Sequence, residues 1–163
     1  MRTLKIILVI PFIFCWSLWD NDAQQIPADT IIRLEQTDCF FTCPAYVVTI
    51  SADGLVTFEG KANVKVLGKA QSRISVEKVQ ALVAAFLKVK FFSLRDHYNS
   101  AEDGCQISDG DTSSSIISIV IGGRSKSVSH YHGCFPKKKH LLDGLISLEE
   151  QIDDVVNTDQ WIE

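Results

Sequence analysis

The stretch over residues 39–60, CFFTCPAYVVTISADGLVTFEG, constrains the fold more than any other part of the chain. Two apolar, alternating runs flank Asp53-Gly54, so the stretch reads as a β-hairpin. Its register follows from the side chains. A two-residue turn would set Ile50 against Thr57 and Val48 against Glu59. A three-residue loop, Ala52-Asp53-Gly54, sets Ile50 against Val56 and Val48 against Phe58. Residues opposite one another share a face, so only the second choice gathers the apolar side chains together. That loop also suits a type I turn closed by glycine in the left-handed region, with a G1 bulge. The expectation is a three-residue loop with Tyr46, Val48, Ile50, Val56 and Phe58 facing a core.

The rest of the chain supplies partners for this hairpin. Residues 31–35 alternate as a first strand, and residues 61–74 read as a fourth, with Val64, Val66 and Ile74 of one parity and a bulge or bend at Gly68. Ser75 caps a helix with Glu77 in its first turn, and Val76, Val79, Leu82, Val83, Phe86 and Leu87 form its apolar stripe. Residues 95–112 are a long polar loop with Cys105 in its middle. Residues 116–121 and 124–130 form a second hairpin about Gly122-Gly123, with Ile117 opposite Val128 and Ser118 opposite Ser127. Leu141, Leu145, Leu148, Ile152 and Val156 predict a helix over 136–156, and Trp161 docks the tail. In that helix Lys137, Lys138 and Lys139 stand at the start and Glu149, Glu150, Asp153 and Asp154 at the end, against the dipole. The expected fold is α+β: an antiparallel sheet in the order β-β-β-β-α-β-β-α, with two helices packed on one face.

Residues 1–23 do not read as part of that fold. Arg2 and Lys5 precede an uncharged, mostly apolar run over 6–19, shorter than the roughly 20 residues that span a bilayer. This fits a secretory signal peptide, cut after Ala23, with a retained membrane anchor as the competing reading. The mature part, 24–163, is then a single domain without a transmembrane segment. Of five cysteines, Cys39, Cys43, Cys105 and Cys134 remain, and an even number in an exported chain reads as two disulfides. A net charge of −4 gives the domain no electrostatic reason to bind nucleic acid.

The order Cys39, Phe40, Thr42, Cys43, Pro44, Tyr46, then Asp53-Gly54 and Glu59-Gly60, resembles a bacterial family of exported domains, domain of unknown function 6438. That family is marked by Cys-Phe-Gly-Thr-Cys-Pro-x-Tyr followed by a strand, Asp-Gly and a strand ending Glu-Gly. Residues 64–68, 91–94 and Glu149, Ile152, Asp153, Thr158 and Trp161 extend the resemblance over about 31–162. Phe41 stands where the pattern has glycine; a glycine at positive φ there would leave Phe41 strained. The resemblance implies no activity and no catalytic residue.

The residues themselves offer several constellations. Cys39 and Cys43 read as a small structural disulfide, with free or metal-binding thiols and redox chemistry as alternatives; thioredoxin-like pairs have two intervening residues, not three. Cys105 and Cys134 are the other expected pair. His130, His132 and Cys134 alternate along a strand and would face one metal, completed by His97 or Cys105, against the plainer reading of polar residues at a strand end. Asp103, Asp109 and Asp111 match no calcium loop. Lys137–Lys139 with His140 would seat an anion, a lipid headgroup or a polyanionic glycan, at a helix N-terminus. No nucleophile elbow, zinc-protease or nucleotide-binding motif is present, and no cofactor is implied. The expected function is a non-enzymatic exported module that binds a protein, glycan or other envelope component. Its candidate surface is His97, Tyr98, His130, His132, Lys137, Lys138 and Lys139, and the alternative is metal or thiol chemistry at His130, His132 and Cys134.

Overall fold

The computed structural model describes residues 25–108, 110–138 and 140–163, so the expected export signal, Asp109 and Lys139 lie outside the described residues. Four strands come first: β1 (Ile31–Gln36), β2 (Ala45–Ser51), β3 (Leu55–Ala62) and β4 (Gly68–Arg73), followed by helix α1 (Val76–Lys88). Then come β5 (His97–Tyr98), β6 (Cys105–Ile107), β7 (Ser114–Ile121), β8 (Arg124–Tyr131), β9 (Cys134–Pro136), α2 (Asp143–Val156) and α3 (Asp159–Ile162). Seven strands form one sheet in the order β4-β3-β2-β1-β7-β8-β5, and β6 pairs with β9 apart from it.

Both hairpins have the register that their side chains dictate. Ile50 stands opposite Val56 and Val48 opposite Phe58. Gly54 closes the loop at φ +79° and returns its N–H to Ser51. Its missing Cβ would lie 2.2 Å from the Ile74 carbonyl oxygen, so the position demands glycine twice over. In the second hairpin Ile117 opposes Val128 and Ser118 opposes Ser127.

β1 joins the hairpins by pairing antiparallel with β2 and β7. One row across five strands, Phe58–Val48–Leu34–Ile117–Val128, is wholly buried. The adjacent row on the opposite face reads Thr57–Thr49–Arg33–Ser118–Ser127 and is polar. Strand side chains alternate between faces, so this sheet has one core side. Val79, Leu82 and Phe86 of α1 and Leu145, Leu148, Ile152 and Val156 of α2 join the same apolar cluster. Each such side chain contributes about 1.5–3 kcal/mol on burial. Trp161 stacks on Phe58 at 4.8 Å between centroids.

Four expectations need correction. The sheet is not wholly antiparallel and the order is not β-β-β-β-α-β-β-α: β5, parallel to β8, and β6 precede the second hairpin, β9 precedes the last long helix and α3 follows it. The strand expected over 61–74 is broken: β3 ends at Ala62, β4 begins at Gly68 (φ +81°), and the turn between them gives two N–H groups to carbonyls of α3. The last helix starts at Asp143, not near Pro136, since Pro136 belongs to β9 and His140 adopts φ +67°. Lys137 and Lys138 therefore precede the helix by several residues and form no anion seat at its N-terminus. Tyr98, expected on a binding surface, is buried, its hydroxyl accepting from the Arg95 N–H.

Candidate metal centre

Toward the Tyr46 end of the sheet the core face turns polar. The row after Phe58–Val48–Leu34–Ile117–Val128 reads Gly60–Tyr46–Gln36–Ser115–His130. Tyr46, Ser115 and His130 are buried there, where hydrogen-bonding groups need partners. Helix α2 supplies two carboxylates. Glu149 and Asp153 are four residues apart, hence on one helix face, and they meet opposite ends of the row. Glu149 Oε1 lies 3.0 Å from His130 Nδ1, and Asp153 accepts from the Tyr46 hydroxyl at 2.9 and 3.0 Å.

His132 comes from the turn after β8 and completes the cluster. Its Nε2 lies 2.6 Å from Ser115 Oγ and 3.6 Å from Glu149 Oε2, and its Nδ1 lies 3.1 Å from Ser113 Oγ. Ser115 gives its one hydroxyl proton to Gln36 Oε1, so the network assigns the imidazole proton to Nε2. One ligating atom each from His130, His132 and Glu149 lies within 4.8 Å of the other two. The cluster borders a groove of about 440 Å³ whose outer lining includes Phe135, Pro136 and Ile146.

Burial pushes both carboxylates up, and their partners decide the outcome. Burial pushes Glu149 up, but hydrogen bonds and charge from His130 and His132 outweigh it and hold the carboxyl below its ordinary value. Asp153 is raised to about 6, chiefly by burial, and the donors Tyr46 and Thr158 do not offset that. With both imidazoles neutral, the same three groups offer two ring nitrogens and a carboxylate as metal ligands.

Only part of the expected constellation assembles. His130 and His132 converge. Cys134 does not join them as a free ligand, because its sulfur is bonded to Cys105. His97 lies elsewhere, 3.6 Å from Asp103, a buried carboxylate that also takes the Asn99 N–H and the Ser100 hydroxyl and so organises the 95–112 loop. Lys137 and Lys138 are exposed. Glu149, read from sequence as a solvated charge at a helix end, is the third member. One signal pointed to it: residues 145, 149, 152 and 156 are spaced as the apolar stripe is, so Glu149 lies inside that stripe.

The molecule is thus an α+β domain held by two disulfides, with a His–His–Glu cluster, His130 and Glu149 buried and His132 half-buried, at one end of its sheet. Tyr46, Glu149 and Asp153, which carry the sequence resemblance, all meet at this end. The chain belongs to the family DUF6438, a domain of unknown function, whose model matches residues 30–156. No curated protein matches the chain.

Proposed function

We propose that residues 24–163 form a single exported, non-enzymatic binding domain whose ligand is a divalent late first-row transition metal ion, held by His130, His132 and Glu149. The observation that carries the reading is the buried carboxylate lying 3.0 and 3.6 Å from the two imidazoles. The two separations run to different oxygens, Oε1 for His130 Nδ1 and Oε2 for His132 Nε2, so a shared ion would be chelated by both carboxylate oxygens and would displace the His132 Nε2 proton; one ligating atom from each residue lies within 4.8 Å of the other two. The third separation needs rotation of His132, which sits on a turn and is partly exposed. Two imidazoles and one carboxylate favour zinc, copper, nickel or cobalt over calcium and magnesium, which take all-oxygen sets. A buried ion pair is seldom kept for stability, since apolar residues of similar volume do as well.

Acyl-transfer catalysis fits worse. A serine–histidine–acid relay needs serine and acid on opposite imidazole nitrogens, whereas Ser115 and Glu149 both approach Nε2 of His132. The two disulfides accord with an oxidising compartment. Among the described residues no helix is long and apolar enough to cross a membrane.

Native mass spectrometry of the chelator-treated protein, titrated with Co²⁺, Ni²⁺, Cu²⁺ and Zn²⁺ in turn, tests the reading. One ion per chain is expected, weakened about a hundredfold or more in His132→Ala and Glu149→Gln. Absence of a one-to-one complex with any of the four would overturn it.

A further inference from the structure

The two ring nitrogens of His132 each meet a serine, and the two serines differ in what they can do. Ser115 is wholly buried, lies 2.6 Å from Nε2 and gives its hydroxyl proton to Gln36 Oε1 at 2.9 Å. A hydroxyl has one proton to give, so toward His132 Ser115 can only accept. Ser113, half-buried just before β7, has its Oγ 3.1 Å from Nδ1. Among the described residues its hydroxyl meets no other hydrogen-bonding partner, so it is free to donate or to accept. The Ser113 carbonyl also takes the His132 backbone N–H at 3.0 Å, which keeps the two residues side by side.

A neutral imidazole carries one ring proton, and the partners of its two nitrogens decide which one holds it. In the metal-free protein Ser115 requires that proton on Nε2, and Ser113 then donates to the bare Nδ1. A metal ion needs a nitrogen lone pair, so ligation through Nε2 requires the proton to be elsewhere. Nδ1 is the place that has an acceptor waiting, because Ser113 is the serine able to reverse its role. A ligating histidine ordinarily donates its other N–H to such a group, which fixes both tautomer and ring orientation.

We propose that Ser113 is the positioning residue that makes His132 a metal ligand. As the ion binds, the ring proton at Nε2 is lost to water, one from water is taken up at Nδ1, and the Ser113 hydroxyl turns from donor to acceptor. The ring is neutral before and after, and Ser115 keeps its bond to Gln36 while releasing His132. This role rests on the proposed ion at His130, His132 and Glu149, and it adds the resting tautomer of the site and the residue that resets it.

Long-range proton–nitrogen NMR of isotopically labelled protein reads the tautomer directly, at a pH of about 8, where imidazoles are neutral. Spectra are taken after chelator treatment and again with one equivalent of Zn²⁺, and His132→Ala identifies the His132 signals. The proton is expected on Nε2 without metal and on Nδ1 with zinc. Ser113→Ala is expected to keep the Nε2 proton in the metal-free state, because Ser115 sets it, and to bind zinc about tenfold or more weakly. Ser113→Thr, which keeps the hydroxyl, is expected to bind within about threefold of wild type. A metal-free ring protonated on Nδ1 would overturn the proposal and leave the metal reading standing. So would a one-to-one zinc complex that still carries the Nε2 proton, or wild-type zinc affinity in Ser113→Ala. No zinc complex by native mass spectrometry, with the metal-free proton on Nε2, would overturn the role of Ser113 together with zinc as the ion.

Discussion

The two disulfides flank opposite ends of one polar row and hold it in different ways. Cys39–Cys43 closes a loop of sequence separation 4 just before Tyr46, which reaches Asp153. Cys105–Cys134 spans a separation of 29 just after His130 and His132, which reach Glu149. Around the first, Phe40 and Phe41 are exposed; around the second, both cysteines are buried in the core cluster. The same bond thus displays a surface loop in one place and fastens a small sheet, β6–β9, beside the His–His–Glu cluster in the other. Stapling strength and stapling purpose are separate quantities.

The largest expected effect follows from loop length. By the chain-entropy estimate, opening Cys105–Cys134 costs about 4 kcal/mol and opening Cys39–Cys43 about 2 kcal/mol. Urea unfolding of Cys105→Ser/Cys134→Ser and of Cys39→Ser/Cys43→Ser should show that ordering, with a further loss in the first from its buried surroundings. Equal losses would break the comparison. The same pair of variants sharpens the functional side. Metal affinity is expected to fall about tenfold or more when the 105–134 bridge is absent, because β9 and the His132 turn lose their anchor, and to stay within about twofold when the 39–43 bridge is absent. Isothermal titration with zinc reads both.

Both hairpins were legible in the sequence, and the reason is locality. Ile50 and Val56, or Ile117 and Val128, meet across a tight turn, so parity and turn chemistry settle their register without knowledge of the rest. Glu149 meets His130 only because α2 lies across the sheet, and nothing adjacent to residue 149 encodes that. β5 and β6 are too short to show a period at all. The start of α2 was hidden for another reason: Leu141 and Leu145 continue the stripe spacing, so apolar periodicity runs past the point where Pro136 and His140 hold the backbone out of a helix. Conversely, the neighbours Glu149, Glu150, Asp153 and Asp154 look alike in sequence, although Glu149 and Asp153 face the cluster and belong to a different chemistry from a solvated charge run.

The two ends of the row also differ in how they respond to pH. For Asp153 the folded value, about 6, lies above its ordinary value of 3.8, so its ionisation opposes folding. That penalty is full above about 6 and disappears as pH falls toward 3.8. Glu149 has the opposite sign: its folded value is below 4.5, so its contribution is present above 4.5 and is lost as pH falls through the folded value. In metal-free protein with chelator, Asp153→Asn should therefore gain on the order of 2 kcal/mol over wild type at neutral pH, and the gain should vanish in acid. Glu149→Gln should lose stability at neutral pH and converge with wild type in acid. Urea unfolding across pH gives both curves, and parallel curves for the two variants would show that the ends are not differentiated.

The smallest effect concerns Phe41. Were its backbone in the left-handed region, phenylalanine would be strained and a glycine would relieve it by about 1 kcal/mol or more. Among the described residues the non-glycine positions with positive φ are Asn63, Lys90, His140 and Asn157, and Phe41 is not one of them. The loop therefore carries phenylalanine without backbone strain, so the sign reverses. Phe41→Gly adds freedom to the unfolded chain, and the lost edge-to-face contact with Phe40, 5.3 Å between centroids, is solvent-exposed and worth little. The expected outcome is a loss of about 0.5–1 kcal/mol in urea unfolding. A gain would show that the short staple holds its loop against strain; a loss of the expected size would show that the staple fixes a conformation which the sequence already permits.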